Sequence, residues 1–140
     1  TGNPDTSVIL RGGADGPNFG AEHVRRASER LAAAGLTDRL IVDASHGNSG
    51  HDHIRQSEVV VELSEQIATD GRAVAGVMLE SNLVAGAQKH DVRNGTEGLV
   101  RGQSITDACM GWDATVEALA VLAAANAART STRSGTPAMP

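Results

Sequence analysis

Aromatic side chains are almost missing from this chain: Phe19 and Trp112 are the only two, and tyrosine is absent. Its core therefore has to be filled by Val, Leu, Ile and Ala, which pack by shape without ring stacking. Cysteine is equally scarce. The single Cys109 cannot make an internal disulfide, which fits a reducing compartment and a cytoplasmic location. Basic charge is short too: 12 Lys and Arg stand against 17 Asp and Glu, the net charge is −5, and Lys89 is the one lysine. With no basic stripe, nucleic acid is not an expected partner. No apolar run approaches the ~20 residues of a transmembrane helix, and no basic segment leads into an apolar one as in a signal peptide, so no membrane association is expected. What remains is 140 residues, 40% apolar and 21% charged, the proportions of one globular domain. The first residue is Thr1 and not Met, as expected of a processed chain or a piece of a longer one.

The chain alternates short apolar runs with amphipathic stretches. Residues 6–11 form a β-branched strand ended by Gly12-Gly13 and Gly16-Pro17. Asn18 stands where an N-cap is expected, before a helix over 21–34 with Val24, Ala27, Leu31 and Ala34 on one face. Gly35 is a stop signal of the C′ type. Leu40-Ile41-Val42 predicts a second strand, and a second helix is expected over 53–68 with Ile54, Val60, Leu63 and Ile67 inward. Residues 73–79 predict a third strand, apolar throughout, as in a parallel sheet covered on both faces. The polar stretch 81–103 reads as a long functional loop. Ser104–Asp107 matches a capping box. A last helix is expected over 114–129, capped by Asp113 with Val116, Leu119, Ala120 and Ala123 inward, followed by a disordered tail over 130–140. Strand centres near Ile9, Val42 and Gly76 are 33 and 34 residues apart, the repeat of a βα unit. The fold class is α/β, a parallel sheet or part of a (β/α) barrel.

Position carries the functional signal. Arg11, His46 and Glu80 each fall at the carboxyl end of an expected strand, where parallel α/β folds place their sites. Asp107 returns to that rim from the long loop. One imidazole and two carboxylates suit Mn, Fe, Co or Zn better than Ca. The residues alone leave both readings open: a glycine-flanked His is often a turn residue, and a strand-end Glu is often a surface charge. Arg11 fits either a phosphate or carboxylate anion or a structural ion pair.

Other features carry less. His51 and His53 are spaced like a ligand pair but open a polar helix. Cys109 lies two residues after Asp107, yet a free cysteine is commonly a small buried hydrophobe. Gly12-Gly13 is too short for a phosphate loop. Thr1 as an amino-terminal nucleophile finds no supporting residues around it.

Four segments occur in order: Ile9–Gly13, Asp43–Ser49, Gly76–Ser81 and Ser104–Trp112. Together they resemble the carboxyl-terminal part of class I 3-deoxy-D-arabino-heptulosonate 7-phosphate (DAHP) synthases, over about residues 1–129. The resemblance implies the last three βα units of a (β/α)8 TIM barrel, with a partial barrel over 1–129. It implies an enzyme of the shikimate pathway that condenses phosphoenolpyruvate with D-erythrose 4-phosphate and releases phosphate. It places His46, Glu80 and Asp107 as ligands of one divalent metal ion, Arg11 as a phosphoenolpyruvate contact, and the full-length enzyme as a homo-oligomer. The family's fourth ligand, a cysteine from an early strand, is not in this sequence, and Cys109 aligns with a non-ligating position. Ala44 stands where some members carry an aromatic, and Asn82 where some carry His. Because a whole barrel takes about 250 residues, the chain is expected to be a fragment. Two rival readings are a 3-deoxy-octulosonate 8-phosphate synthase and a non-catalytic remnant that binds a synthase partner.

Overall fold

The computed structural model describes residue 3 and residues 6–134, with side chains through 131. Thr1 and the end of the expected tail lie outside the described residues. Three parallel strands form one sheet in chain order: β1 (Val8–Leu10), β2 (Leu40–Asp43) and β3 (Val74–Met78). Between them run α1 (Ala21–Ala33), the single turn α2 (His46–Ser49) and α3 (Arg55–Asp70). Val8 pairs with Leu40 and Leu10 with Val42; Val42 in turn pairs with Val77 and Asp43 with Met78. This register brings the three carboxyl ends to one rim.

The core lies between the sheet and the helices. Leu40, Val42 and Ala44 are fully buried and cluster with Val59, Val60 and Leu63 of α3. Each such side chain contributes about 1.5–3 kcal/mol relative to an exposed one. The other sheet face is open among the described residues: Ile9 is 40% and Met78 37% exposed. The continuous apolar run of the third strand therefore does not mean cover on both faces here.

Helix ends follow local chemistry, not always as the sequence suggests. Gly35, at φ +69°, donates to the Ala32 carbonyl (2.9 Å) while Leu36 donates to Leu31 (3.0 Å), a Schellman stop for α1. Asn18, expected as the N-cap, is not one. Gly20 takes that position, and the Asn18 carboxamide accepts from the Gly12 N–H instead (2.7 Å). Asp52 Oδ1 accepts from the Ile54 N–H (2.8 Å) and serves the start of α3.

The segment after β3 is more ordered than a loop. It holds β4 (Val84–Ala87) and β5 (Gln103–Ser104), paired in parallel, with a single 3-10 turn over Val92–Asn94. The expected capping box at Ser104–Asp107 caps no helix. Ser104 is in β5, and its hydroxyl accepts from the Thr106 N–H (3.2 Å). A further parallel bridge joins Ser81 to Met110 beyond β3, followed by α4 (Trp112–Ser134). The rim thus gains a fourth strand-like segment that sequence reading did not include. Asp113 lies in the first turn of α4, and the helix runs into the segment expected as a tail.

α4 packs against α3, but not with the expected face. Thr115, Ala118 and Ala125 are buried, while Val116 is 47% and Leu119 55% exposed, and Ala120 and Ala123 are exposed as well. The helix is apolar on most of its circumference, so periodicity does not select its inner face. The small residues went inward because they allow close helix approach.

Candidate metal centre

Three expected site residues meet. One ligand atom from each of His46, Glu80 and Asp107 lies within 4.8 Å of the others. His46 Nε2 is 3.3 Å from Glu80 Oε1. Each residue reaches the rim from a different segment: His46 opens α2 just past β2, Glu80 follows β3, and Asp107 precedes the Met110 bridge. His46 and Glu80 are half-buried and Asp107 is exposed.

His46 is held from behind. Its Nδ1 is 2.7 Å from Asp43 Oδ2, and the Asp43 carboxylate is 1% exposed. The other carboxylate oxygen accepts from the Ser45 N–H (2.8 Å) and from the Ser45 hydroxyl. Ser45 Oγ is also 2.7 Å from Nδ1, but its proton is committed to Asp43. The Nδ1 position must therefore carry a proton, and in the neutral ring, the form that ligates a metal, the Nε2 lone pair faces Glu80. Two lone-pair-bearing atoms 3.3 Å apart, with a second carboxylate beside them, repel unless a cation lies between. This donor set fits a divalent first-row metal. His46 also sits at φ +49°, unusual for a residue with a Cβ, so the turn that presents it is under backbone strain.

Buried amides tie the rim together. Asn48 donates to the Asp43 carbonyl (2.7 Å) and to the Leu10 carbonyl (3.1 Å), bridging the ends of β2 and β1. Its Oδ1 accepts from the Asn18 N–H (2.7 Å). Gly12 and Gly47 touch backbone to backbone: a Cβ on Gly12, at φ +82°, would lie 2.6 Å from the Gly47 carbonyl carbon. Only glycine permits this approach. Arg11, between Leu10 and Gly12, is exposed.

Cys109 does not join the cluster. Its thiol points back to the Asp107 carbonyl (3.5 Å), and its backbone pairs with Gly86 in both directions. The His51 ring stands edge-on to His46 with centroids 6.0 Å apart, and neither His51 nor His53 contributes to the group. A cavity of about 660 Å³ lies elsewhere, lined by Val24, Asp38, Gln66 and Val74 near the amino ends of the strands. Sequence reading missed Asp43, Asn48 and Gln56. The signal for Gln56 was present: a polar residue in phase with the apolar stripe of Val59, Val60, Leu63 and Ile67.

The strand-end placement and the His/Glu/Asp donor set define the chain as an α/β protein with a candidate cation site at the carboxyl rim of a parallel sheet. The chain belongs to the DAHP synthetase I family, whose pattern matches residues 1–120. It is 54% identical over 128 residues to a phospho-2-dehydro-3-deoxyheptonate aldolase of Corynebacterium glutamicum, covering 89% of this chain and 34% of that protein. It is 50% identical over 125 residues to the Trp-sensitive aldolase of that name from Enterobacter agglomerans, covering 89% and 35%. The solved structure of the Francisella tularensis SCHU S4 phospho-2-dehydro-3-deoxyheptonate aldolase matches with a TM-score of 0.83 at 44% identity, over 91% of this chain and 36% of that one. The chain spans about a third of the length of these relatives. Among the described residues, no helix is long and apolar enough to cross a membrane.

Proposed function

We propose that this chain is the metal-binding, carboxyl-terminal part of a DAHP synthase and forms the last part of a (β/α)8 barrel, with the Met110 segment adding a fourth strand-like position to the three expected from sequence. The protein that contains it condenses phosphoenolpyruvate with D-erythrose 4-phosphate in the cytoplasm and acts as a homo-oligomer. The convergence of His46, Glu80 and Asp107 at the strand ends carries this reading, together with family membership.

His46 Nε2 and carboxylate oxygens of Glu80 and Asp107 would hold one divalent ion, with a further ligand from outside this chain. When bound, such an ion supplies Lewis acidity toward an aldehyde oxygen. The protein's own residues do the rest. Asp43 keeps the imidazole in the ligating tautomer. Arg11 grips a phosphate or carboxylate of phosphoenolpyruvate in two-point fashion, and the flanking glycines let backbone and ligand approach. Drawing two anionic substrates together requires such cationic groups to offset their repulsion.

The test is made on the full-length protein. Phosphate release from phosphoenolpyruvate should depend on both erythrose 4-phosphate and a divalent metal, and chelation should abolish it. Glu80→Gln should lose bound metal and turnover together. Full turnover in a chelated enzyme, or metal retention unchanged in the variant, would sink the assignment.

A further inference from the structure

Among the described residues, Gln56 is the one long polar side chain in the fully buried set that lies outside the segment carrying His46. It is 1% exposed, and a buried amide is costly unless its donor and acceptor are both used. Both are used on the backbone of a single residue. Gln56 Oε1 accepts from the Glu80 N–H at 3.0 Å, and its Nε2 donates to the Glu80 carbonyl at 3.4 Å. The side chain thus pairs with Glu80 as a neighbouring strand would. On the far side the Met110 N–H donates to the same carbonyl at 2.9 Å. The Glu80 carboxylate contacts His46. Its place is therefore set through its backbone, and the backbone is clamped by Gln56.

The connection matters because of where each end is rooted. Gln56 sits in the first turns of α3, on the segment that leaves β2 through His46 and α2. Glu80 sits at the end of β3. The amide is a strut between the two segments that supply the half-buried members of the triad. We infer that Gln56 is a positioning residue that sets the separation of His46 and Glu80 for a bound divalent ion. This rests on the metal reading given above.

The experiment titrates Mn²⁺ alone into metal-stripped full-length protein by calorimetry, for the parent, Gln56→Met, Gln56→Asn and Glu80→Gln. The Met side chain keeps length and bulk and loses both hydrogen bonds. The Asn side chain keeps an amide but is one methylene too short to span the pair. Both should raise the Mn²⁺ dissociation constant about tenfold or more, the usual effect of removing an outer partner of a metal ligand. The KM for phosphoenolpyruvate at saturating metal should stay unchanged, since Arg11 hangs from β1. A merely structural Gln56 would lower the melting temperature of the stripped protein and leave Mn²⁺ affinity intact. That result overturns the proposal, as does failure of both Gln56 variants to fold. If Glu80→Gln loses Mn²⁺ while the Gln56 variants keep it, the metal reading stands and the strut is refuted. If Glu80→Gln binds Mn²⁺ like the parent, the metal reading itself falls.

Discussion

Replacing Asp43 by Asn changes almost no volume and yet should reverse the chemistry of His46. The Asp43 carboxylate is 1% exposed and accepts from the Ser45 N–H (2.8 Å), the Ser45 hydroxyl and the His46 Nδ1–H (2.7 Å). An Asn carboxamide has one acceptor atom. If its oxygen keeps the Ser45 pair, its NH2 faces Nδ1. A donor opposite Nδ1 moves the ring proton to Nε2, the atom 3.3 Å from Glu80 Oε1, and a protonated Nε2 cannot ligate. A hydrogen bond to a charged group contributes about 1.5–3 kcal/mol, which converts to roughly a 10- to 150-fold loss of metal affinity. Calorimetric titration of Mn²⁺ into the stripped full-length variant measures that loss. Nitrogen chemical shifts of the imidazole report the tautomer independently. Parental affinity in a folded variant whose His46 has moved its proton to Nε2 would refute the reasoning, because tautomer and binding would then be uncoupled.

Arg11→Ala should weaken use of phosphoenolpyruvate by about 1.5–3 kcal/mol in kcat/KM with little change in melting temperature; a large drop in Tm with unchanged kinetics would make Arg11 structural. Asp107→Asn should sharply reduce metal retention while Cys109→Ser largely keeps it, measured as metal bound per chain after gel filtration; equal loss would remove Asp107 from the ligand set. Gly12→Ala forces a Cβ to 2.6 Å from the Gly47 backbone at φ +82°, and should destabilise by more than about 1 kcal/mol in urea unfolding. An unchanged midpoint would show that the two loops separate at little cost.

The order of strands and helices was legible because each βα unit pairs a β-branched run with a 3.6-residue stripe, and both periods survive in the folded chain. His46 and Glu80 stood out as polar chemistry closing an apolar run, His46 just before Gly47, while Asp107 was expected only to return to the rim from the long loop. The inner face of α4 was not legible, since an alanine-rich helix offers no contrast between its sides. Nor were β4 and β5: Val84–Ala87 is four residues interrupted by a glycine and Gln103–Ser104 is only two, so their pairing comes from tertiary contact and not from propensity. Asn18 shows the limit of local rules. It has the right type and place for a cap, but a partner six residues back in sequence, the Gly12 N–H, takes its side chain. The Asn48 amide is likewise invisible to pattern reading, because its partners on the β1 side, Leu10 and Asn18, lie 38 and 30 residues away; the pattern marks Gln56 only as a polar residue in an apolar stripe, and its partner Glu80 lies 24 residues on.

The excursion between Glu80 and Asp107 is closed at its neck. Ser81 bridges Met110, Gly86 bridges Cys109, and β4 pairs with β5, while residues 92–98 at the far end are all exposed. Once a neck is fixed, lengthening the span beyond it adds only a slowly growing closure entropy, about 0.6 kcal/mol per doubling. The two carboxylates on either side are thus insulated from whatever happens at the tip. Evolution or an engineer has a permissive graft point there: a reporter peptide or an affinity handle spliced between Gly95 and Gly98 would ride on the rim of the site without registering in it.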